Sequence, residues 1–187
     1  MRTRLAGALV LLACAAACEA PNAVPITNVK ATMADSADQV IFGLRNLITD
    51  RGLNRAAVEA DTAFFFDDNT RVDMRVVRGV FFNAAGVKNS VLTSRAGFYN
   101  SQSGMLEARG DVIVRSVDAV NRKTLTTPFL RFDQHLNQLT SDSAFTLKEE
   151  PGRNVVGVGF RSDPDMQNIT IKRIITSKPG TVGLSDK

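Results

Sequence analysis

The chain has 187 residues, of which 44% are apolar and 22% are charged, a balance typical of one domain with a buried core rather than of a disordered or fibrous protein. Eleven phenylalanines stand against one tyrosine and no tryptophan, which favours an interior that needs few hydrogen-bond partners. The pI of 9.4 does not indicate a nucleic-acid binder. Without Arg2 and Arg4 the chain keeps 21 basic and 19 acidic residues and has no basic run with interleaved aromatics.

The N-terminus, residues 1–17, has the pattern of a bacterial lipoprotein signal peptide. A basic start, MRTR, precedes an apolar run that is shorter than the about 20 residues needed to span a bilayer. Cys18 follows three alanines and is the expected lipidation site, with Cys14 as the alternative. An ordinary cleaved signal with incidental cysteines is a further alternative. Lipidation predicts a periplasmic protein anchored to a membrane, with the inner membrane favoured.

A tether precedes the main domain, which is predicted over residues 36–176 and begins with a short helix. Residues 18–35 contain two prolines and no clear periodicity, and they are expected to form a flexible tether. Residues 36–50 are predicted to form one short amphipathic helix, because their apolar residues recur at helical spacing. These apolar residues are Val40, Ile41, Leu44, Leu47 and Ile48. The polar tail, residues 177–187, is expected to be disordered.

From residue 53 to residue 175 the sequence predicts an all-β antiparallel meander, because short alternating runs are separated by polar turns. A repeat of 33 residues supports this interpretation. VLTSRAGFYNSQSGMLEARGDVIV (residues 91–114) aligns without gaps on TLTTPFLRFDQHLNQLTSDSAFTL (residues 124–147), so that Tyr99 falls on Phe132. Each unit is a strand, a turn and a returning strand, and such units bury their faces only against their neighbours.

Alternation assigns two faces to the strand that contains the tripeptide Arg109-Gly110-Asp111, a sequence known from adhesive proteins. One face is predicted to be inward and holds Leu106, Ala108, Gly110, Val112 and Val114. Arg109 and Asp111 belong to the outer face of the strand, whereas an adhesive tripeptide usually lies at a loop tip. Gly110 is expected to leave room inside or to ease a bend. A surface lipoprotein with an adhesive or glycan-binding β-domain is the alternative function.

Four stretches resemble the LptC family of lipopolysaccharide export proteins and, more broadly, its OstA-like and LptA-like relatives. They are ADTAFFFDDNTRVDMRVVRGVFF, VLTSRAGFYNSQSGMLEARGDVIV, LTTPFLRFDQHLNQLTSD and GVGFRSDPDMQNITI, which cover most of residues 58–172. The resemblance implies an open antiparallel β-jellyroll of repeated hairpins, folded like a taco.

The resemblance also implies a function. The family members bind the acyl chains of lipid A, a part of lipopolysaccharide, in an apolar groove. They bridge the subunits of an inner-membrane ABC transporter to an LptA-like periplasmic jellyroll protein through their edge strands. The chain departs from the family in one respect, since family members commonly carry an N-terminal transmembrane helix where this chain carries a lipoprotein signal.

Two sets of site residues follow from this resemblance and from the alternation. The lipid-facing candidates are Phe66, Phe82, Tyr99, Leu106, Val112, Val114, Phe132, Leu139, Phe145, Leu147 and Phe160. The alternative is that these side chains form an ordinary packed β-sandwich core. The candidate docking edges are residues 53–61 and 169–175, represented by Leu53, Val58, Ile169, Ile171 and Ile174.

The sequence offers no catalytic or cofactor-binding pattern. His135, the one histidine, lies in the turn DQHLN without an acid or cysteine at useful spacing, so a solvated turn residue is expected. DDNTRVD lacks the ligands of a calcium loop, and no nucleophile–base pair stands out. We therefore expect neither an enzyme nor a bound metal or cofactor.

Overall fold

The computed structural model describes residues 32–118, 121–150 and 152–178, and in them nine antiparallel strands form one sheet. After the short helix α1 (Met33–Ser36), the strands are β1 (Gln39–Asp50), β2 (Leu53–Phe66), β3 (Arg71–Phe82), β4 (Lys88–Asn100), β5 (Met105–Ser116), β6 (Lys123–Asp133), β7 (Gln138–Glu149), β8 (Arg153–Ser162) and β9 (Ile169–Lys178). The predicted signal peptide, both cysteines and residues 179–187 lie outside the described residues. Ser177 and Lys178, predicted as part of the tail, belong to β9.

Each strand pairs with its neighbours in sequence, so the strand order from one edge of the sheet to the other is β1 to β9. The predicted all-β antiparallel jellyroll is confirmed. The polar turns that bound the alternating runs in the sequence join the strands as hairpins, as period-two patterning between turn residues requires. β1 and β9 each have one paired neighbour in the described part of the chain and form the two edges of this open sheet.

The helix predicted over residues 36–50 is wrong, because residues 39–50 form β1. The spacing of their apolar residues is also compatible with an edge strand, because an edge strand need not bury the whole of one face. Phe42 is 78% exposed, whereas Ile48 is buried against the core. β1 pairs with β2 along almost its whole length, and tertiary pairing overrides the weak local helical pattern.

A line of interrupted pairing crosses all nine strands near their middles. The backbone partners resume beyond it on each strand, in four strand pairs without any change of register and in the other four after a shift of one residue. We call it the bend line, and it runs through Gly43, Asp61, Val76, Arg95, Asp111, Pro128, Asp142, Gly159 and Lys172. Gly110 and Asp111 both have positive φ there, 74° and 48°, so the expected bend at Gly110 is present.

The bend line divides the sheet into two half-sheets that pack face to face. Half-sheet A contains the β1–β2 turn and half-sheet B contains the β2–β3 turn. Phe81 on β3 lies in half-sheet A, and Phe132 on β6 lies in half-sheet B, three strands away. Their ring centroids are nevertheless 4.7 Å apart, a distance that only contact between the two inner faces explains.

One cluster of buried apolar side chains fills the space between the half-sheets. It draws on strands β1 to β8 and on the β8–β9 turn, and its fully buried members include Phe81, Phe132, Phe160, Met74, Leu125, Leu130, Leu139 and Met166. Each such side chain contributes about 1.5–3 kcal/mol of transfer free energy. Burial of these side chains therefore holds the two half-sheets together.

Gly157 on β8 is predicted to tolerate no larger residue. A Cβ there would lie 2.7 Å from the carbonyl oxygen of Arg173 and 2.9 Å from the Phe145 ring. We expect Gly157→Ala to lower the free energy of unfolding by about 1–3 kcal/mol through overpacking. Gly79 is the matched control, because a Cβ there would make an ordinary 3.4 Å contact with Leu92. Urea denaturation of both variants measures the difference, and equal stability of the two contradicts the prediction.

Candidate lipid-binding interior

The interior between the half-sheets brings together eight of the eleven predicted lipid-facing residues. These are Leu106, Val112, Val114, Phe132, Leu139, Phe145, Leu147 and Phe160, all members of the core cluster. In the conformation of the structure they pack against one another. Phe145 and Phe160, for example, meet edge to face with ring centroids 5.2 Å apart. The same side chains therefore make the core and the surface that an acyl chain would touch.

Phe82 is misplaced by one position, because Phe81 is the residue that is fully buried in the core. Phe66 is buried, with 8% of its surface exposed, although it lies outside the core cluster, against which Phe65 packs. The reason lies in the bend line, where the inward positions of β2 and β3 step by three residues instead of two. Alternation carried unbroken through the bend predicts Phe66 and Phe82. Phe66 instead lies under the Arg71 guanidinium, 4.1 Å from the ring centroid.

Tyr99, the remaining candidate, is half-buried at the border of the core. Its hydroxyl donates a hydrogen bond to Gln134 Oε1 at 3.2 Å, and burial raises the pKa of the phenol. The ring therefore extends the apolar interior while the hydroxyl marks where that interior becomes polar.

The rim opposite the bend line closes the interior with turns from both half-sheets. Lys123 Nζ, at the start of β6 in half-sheet A, donates to the carbonyl oxygen of Met166 in the β8–β9 turn of half-sheet B at 2.6 Å. His135 Nδ1, in the β6–β7 turn, lies 3.2 Å from Asp50 Oδ1 beside the β1–β2 turn. Met166 is completely buried, so the β8–β9 turn plugs the interior as well as bridging it.

The Asp163 carboxylate stabilises that plugging turn. Burial alone raises the pKa of Asp163, but hydrogen bonds from Asp165, Asn168 and Gln167 outweigh it and hold the pKa below its ordinary value. Burial, and then the neighbouring Asp163, raise the pKa of Asp165. The backbone N–H groups of Gln167 and Asn168 donate to Asp163 Oδ1 at 3.0 and 3.2 Å, and these hydrogen bonds hold the turn that presents Met166 to the core.

The wall between β6 and β7 is held at the bend line by hydroxyl groups instead of backbone pairs. Backbone pairing stops after Thr126 and resumes at Arg131. In this gap Thr127 Oγ1 lies 2.9 Å from the carbonyl oxygen of Ala144, and Ser141 Oγ lies 2.7 Å from that of Phe129. Outside it, a shallow groove of about 620 Å³ is lined in part by Ile113, Thr126, Thr146 and Val156.

The side chains of the adhesion-like tripeptide are engaged within the sheet. Arg109 Nη2 donates to Glu107 Oε2, and Asp111 Oδ2 accepts from Arg95 Nε at 2.7 Å. Arg131 also donates to Glu107, at 3.0 Å from Oε1. Arg109 and Asp111 lie on the outer side of β5, as predicted, although at a bulge rather than on a regular strand.

Glu107 predicts a pH dependence of stability. Burial raises its pKa, but the hydrogen bonds from Arg109 and Arg131 outweigh burial and leave the pKa below its ordinary value. A carboxyl whose pKa is lower in the folded state adds stability above its unfolded pKa of about 4.3, and this stability is lost as pH falls through the folded pKa. The free energy of unfolding that Glu107→Gln removes at pH 7 is therefore expected to shrink below about pH 4. Urea titrations of both proteins at several pH values test this, and a pH-independent difference contradicts it.

The edge strands of the sheet are β1 and β9. Residues 53–61 belong to β2, which lies between β1 and β3, so Leu53 and Val58 are not edge residues, and Val58 is buried in the core. The misassigned helix caused this error, because a strand where the helix was predicted covers β2. On β9 the sequence placed the edge correctly. Ile169 and Ile171 pack against the core, and Ile174 is 56% exposed.

Within the described ranges no helix is long and apolar enough to cross a membrane, and no group of three or more His, Cys, Asp or Glu side chains forms a potential metal site. The comparisons with known proteins point to one family. A family described as lipopolysaccharide-assembly, LptC-related, matches residues 5–177. The chain belongs to the LptC-related family. It is therefore a periplasmic component of lipopolysaccharide transport. The members of this family are transport proteins rather than enzymes.

Among solved structures, the chain is similar to LptH, the LptA-homologous periplasmic component of the lipopolysaccharide transport device of Pseudomonas aeruginosa. The sequence identity is 14%, the TM-score is 0.49, and the match covers 63% of this chain and 82% of that one. No curated protein matches this LptC-related chain.

Proposed function

We propose that this protein binds the acyl chains of lipid A between its two half-sheets and passes lipopolysaccharide onward. The observation that carries the proposal is the continuous apolar inner surface of strands β2 to β8. Acyl chains require apolar area and no hydrogen bonds, and each Å² of apolar surface removed from water is worth about 25 cal/mol. The row of similar hairpins offers neighbouring sites of similar affinity, a condition that suits passage of a lipid better than one tight site does.

Entry of an acyl chain requires the half-sheets to separate at the rim. The rim contacts of Lys123 with Met166 and of His135 with Asp50 are single polar contacts, whereas the bend line is continuous covalent chain. Opening therefore pivots about the bend line. When the half-sheets separate, the apolar surface that they buried against each other is buried against the acyl chains instead. The free energy lost with the core contacts is therefore nearly offset by the free energy of the lipid contacts.

Photo-crosslinking in cells tests this function. A photoreactive side chain at Phe145 is expected to crosslink to lipopolysaccharide when ATP is available to the transporter, because Phe145 faces the interior. Thr146, the next residue on the same strand, faces outward and is the matched control. The pair Phe132 and Arg131 repeats the comparison on β6. Absence of lipid crosslinks at both inward positions, or equal crosslinking at the outward ones, contradicts the proposal.

The proposed bridge uses the two edges of the sheet. One edge accepts a strand from the ABC transporter subunits and the other a strand from an LptA-like jellyroll protein, in each case by β-augmentation. Exposed apolar side chains on both edges support this assignment, with Phe42 and Leu47 on β1 and Ile174 and Ile175 on β9. Photoreactive side chains at Phe42 and at Ile174 are expected to capture two different partners, and capture of one partner at both positions contradicts the bridge.

The proposed anchor is a lipid on Cys18, which holds the protein in the periplasm at the inner membrane. Labelled palmitate is expected to enter the wild-type chain and Cys14→Ser but not Cys18→Ser. Incorporation that depends on Cys14 instead moves the anchor to that residue.

A further inference from the structure

Arg55 is a buried cation with unused hydrogen-bonding capacity. The residue is 6% exposed, and its Nε and Nη1 atoms are buried without a hydrogen-bond partner. A guanidinium in such a position has lost its hydration, and each unsatisfied charged donor costs more than a neutral one. The site is therefore poised to gain from any anion that can reach these donors.

The charge of Arg55 is only weakly compensated by the protein itself. Among the described residues it makes one ion pair, with Asp50, and the 3.7 Å between Nη2 and Oδ2 is too long for a hydrogen bond. Asp50 is shared, since Oδ2 also accepts from Arg51 Nε at 3.1 Å and Oδ1 lies 3.2 Å from His135 Nδ1. The hydrogen bond from Arg51 holds the pKa of Asp50 below its ordinary value, so the carboxylate is already engaged.

The position of Arg55 joins the rim to the apolar interior. The register of β1 and β2 shifts between Ile48 and Thr49, and Arg55 is the residue of β2 that the shift leaves without a partner on β1. The bulge takes Arg55 out of the alternation, so that it is buried together with its neighbour Ala56. Ala56 and Val58 both belong to the core cluster. A ligand with an apolar chain in the interior could therefore place a head group at Arg55.

We propose that Arg55 binds the phosphate monoester of an amphiphile whose acyl chain occupies the interior, an inference that rests on the proposed function. Phosphate oxygens accept charge-assisted hydrogen bonds from guanidinium donors and carry the charge that the site lacks. Access follows the opening of the rim, because release of His135 from Asp50 separates the β6–β7 turn from the β1–β2 turn. Binding of the phosphate thereby takes the place of the contact between His135 and Asp50, which closes the interior at the rim.

Binding measurements on the purified full chain test this site. Dodecyl phosphate is the probe, and dodecyl maltoside is the neutral amphiphile of the same chain length. The wild type is expected to bind dodecyl phosphate about tenfold or more tightly than dodecyl maltoside, as one to two charge-assisted hydrogen bonds supply. Arg55→Met is expected to abolish this preference without weakening binding of dodecyl maltoside, and Arg55→Lys is expected to keep part of it.

The outcomes separate this inference from the function on which it rests. Equal affinity of the wild type for the two amphiphiles, or a preference that survives Arg55→Met, overturns the phosphate site and leaves acyl-chain binding intact. Failure of both amphiphiles to bind overturns both. Inorganic phosphate is expected to bind far more weakly than dodecyl phosphate, and equal binding of the two assigns the site to free anions and overturns the lipid source. Since Arg55→Met removes two unsatisfied buried donors while Asp50 keeps its contacts with Arg51 and His135, its thermal midpoint is expected to equal or exceed that of the wild type. If that variant fails to fold, the Arg55→Lys comparison decides the case.

Discussion

Replacement of Val112 by aspartate is expected to leave the chain unfolded at neutral pH, whereas Ile113→Asp is expected to fold. Val112 is completely buried in the core cluster, where an unpaired carboxylate costs several kcal/mol beyond the lost apolar contacts. A penalty of this size is comparable to the about 5–15 kcal/mol that stabilises a typical domain. Ile113, the next residue of β5, lines the outer groove, where a carboxylate keeps its hydration.

The measurement is circular dichroism with urea denaturation of both variants. The pair isolates the direction of the side chain, because the two positions share a strand and receive the same charge. A folded Val112→Asp protein with near-normal stability would show that the interior admits water, and it would contradict a tightly packed core.

Phe81→Ala is expected to lower the free energy of unfolding by about 3–5 kcal/mol, the second largest effect. The ring is fully buried and contacts Phe132 of the opposite half-sheet, so its removal leaves a cavity where the half-sheets meet. Phe82→Ala is the matched control and is expected to cost about 1 kcal/mol, because Phe82 is partly exposed. Similar losses in the two variants, measured by urea denaturation, would contradict the change in alternation at the bend line.

Much of the fold could be predicted because apolar and polar residues alternate regularly along its strands. The alternation in residues 106–114 and the 33-residue repeat assign the inward side of β4 to β7, and the structure places Leu106, Val112, Phe132 and Phe145 there. Gly110 is the exception in the predicted inward set of β5, because a Cβ there would meet the exposed Arg95 side chain. The other four residues keep their inward side because the bulge at Gly110 and Asp111 adds one residue and restores the alternation. The order of the strands followed from the polar turns.

The errors arise where local patterns and long-range pairing disagree. β1 is an edge strand, and its apolar spacing also fits a helix, so nothing within residues 36–50 distinguishes the two structures. On β2 and β3 the bend shifts the alternation by one residue, and the shift occurs at Asp61 and Val76, neither of which is a glycine. Val76 has a φ of 51°, a conformation that a β-branched residue adopts only when its surroundings enforce it.

Arg55 could not be found from the sequence, because its burial depends on a bulge. In an unbroken alternation it would fall on the outer face with its neighbours of the same parity and would count as an ordinary surface charge. The displaced register opposite Ile48 and Thr49 makes it a buried residue, and such a bulge leaves no mark in the local sequence.

The bend line has a consequence for length. Because each strand carries its own break in pairing, every hairpin is a complete slice of the molecule with both half-sheets in it. Adding or removing one 33-residue hairpin would change how long the jellyroll is and leave its cross-section the same. A strand from another protein that joined β9 with a break at the same height would continue this profile, so the two proteins would share one cross-section.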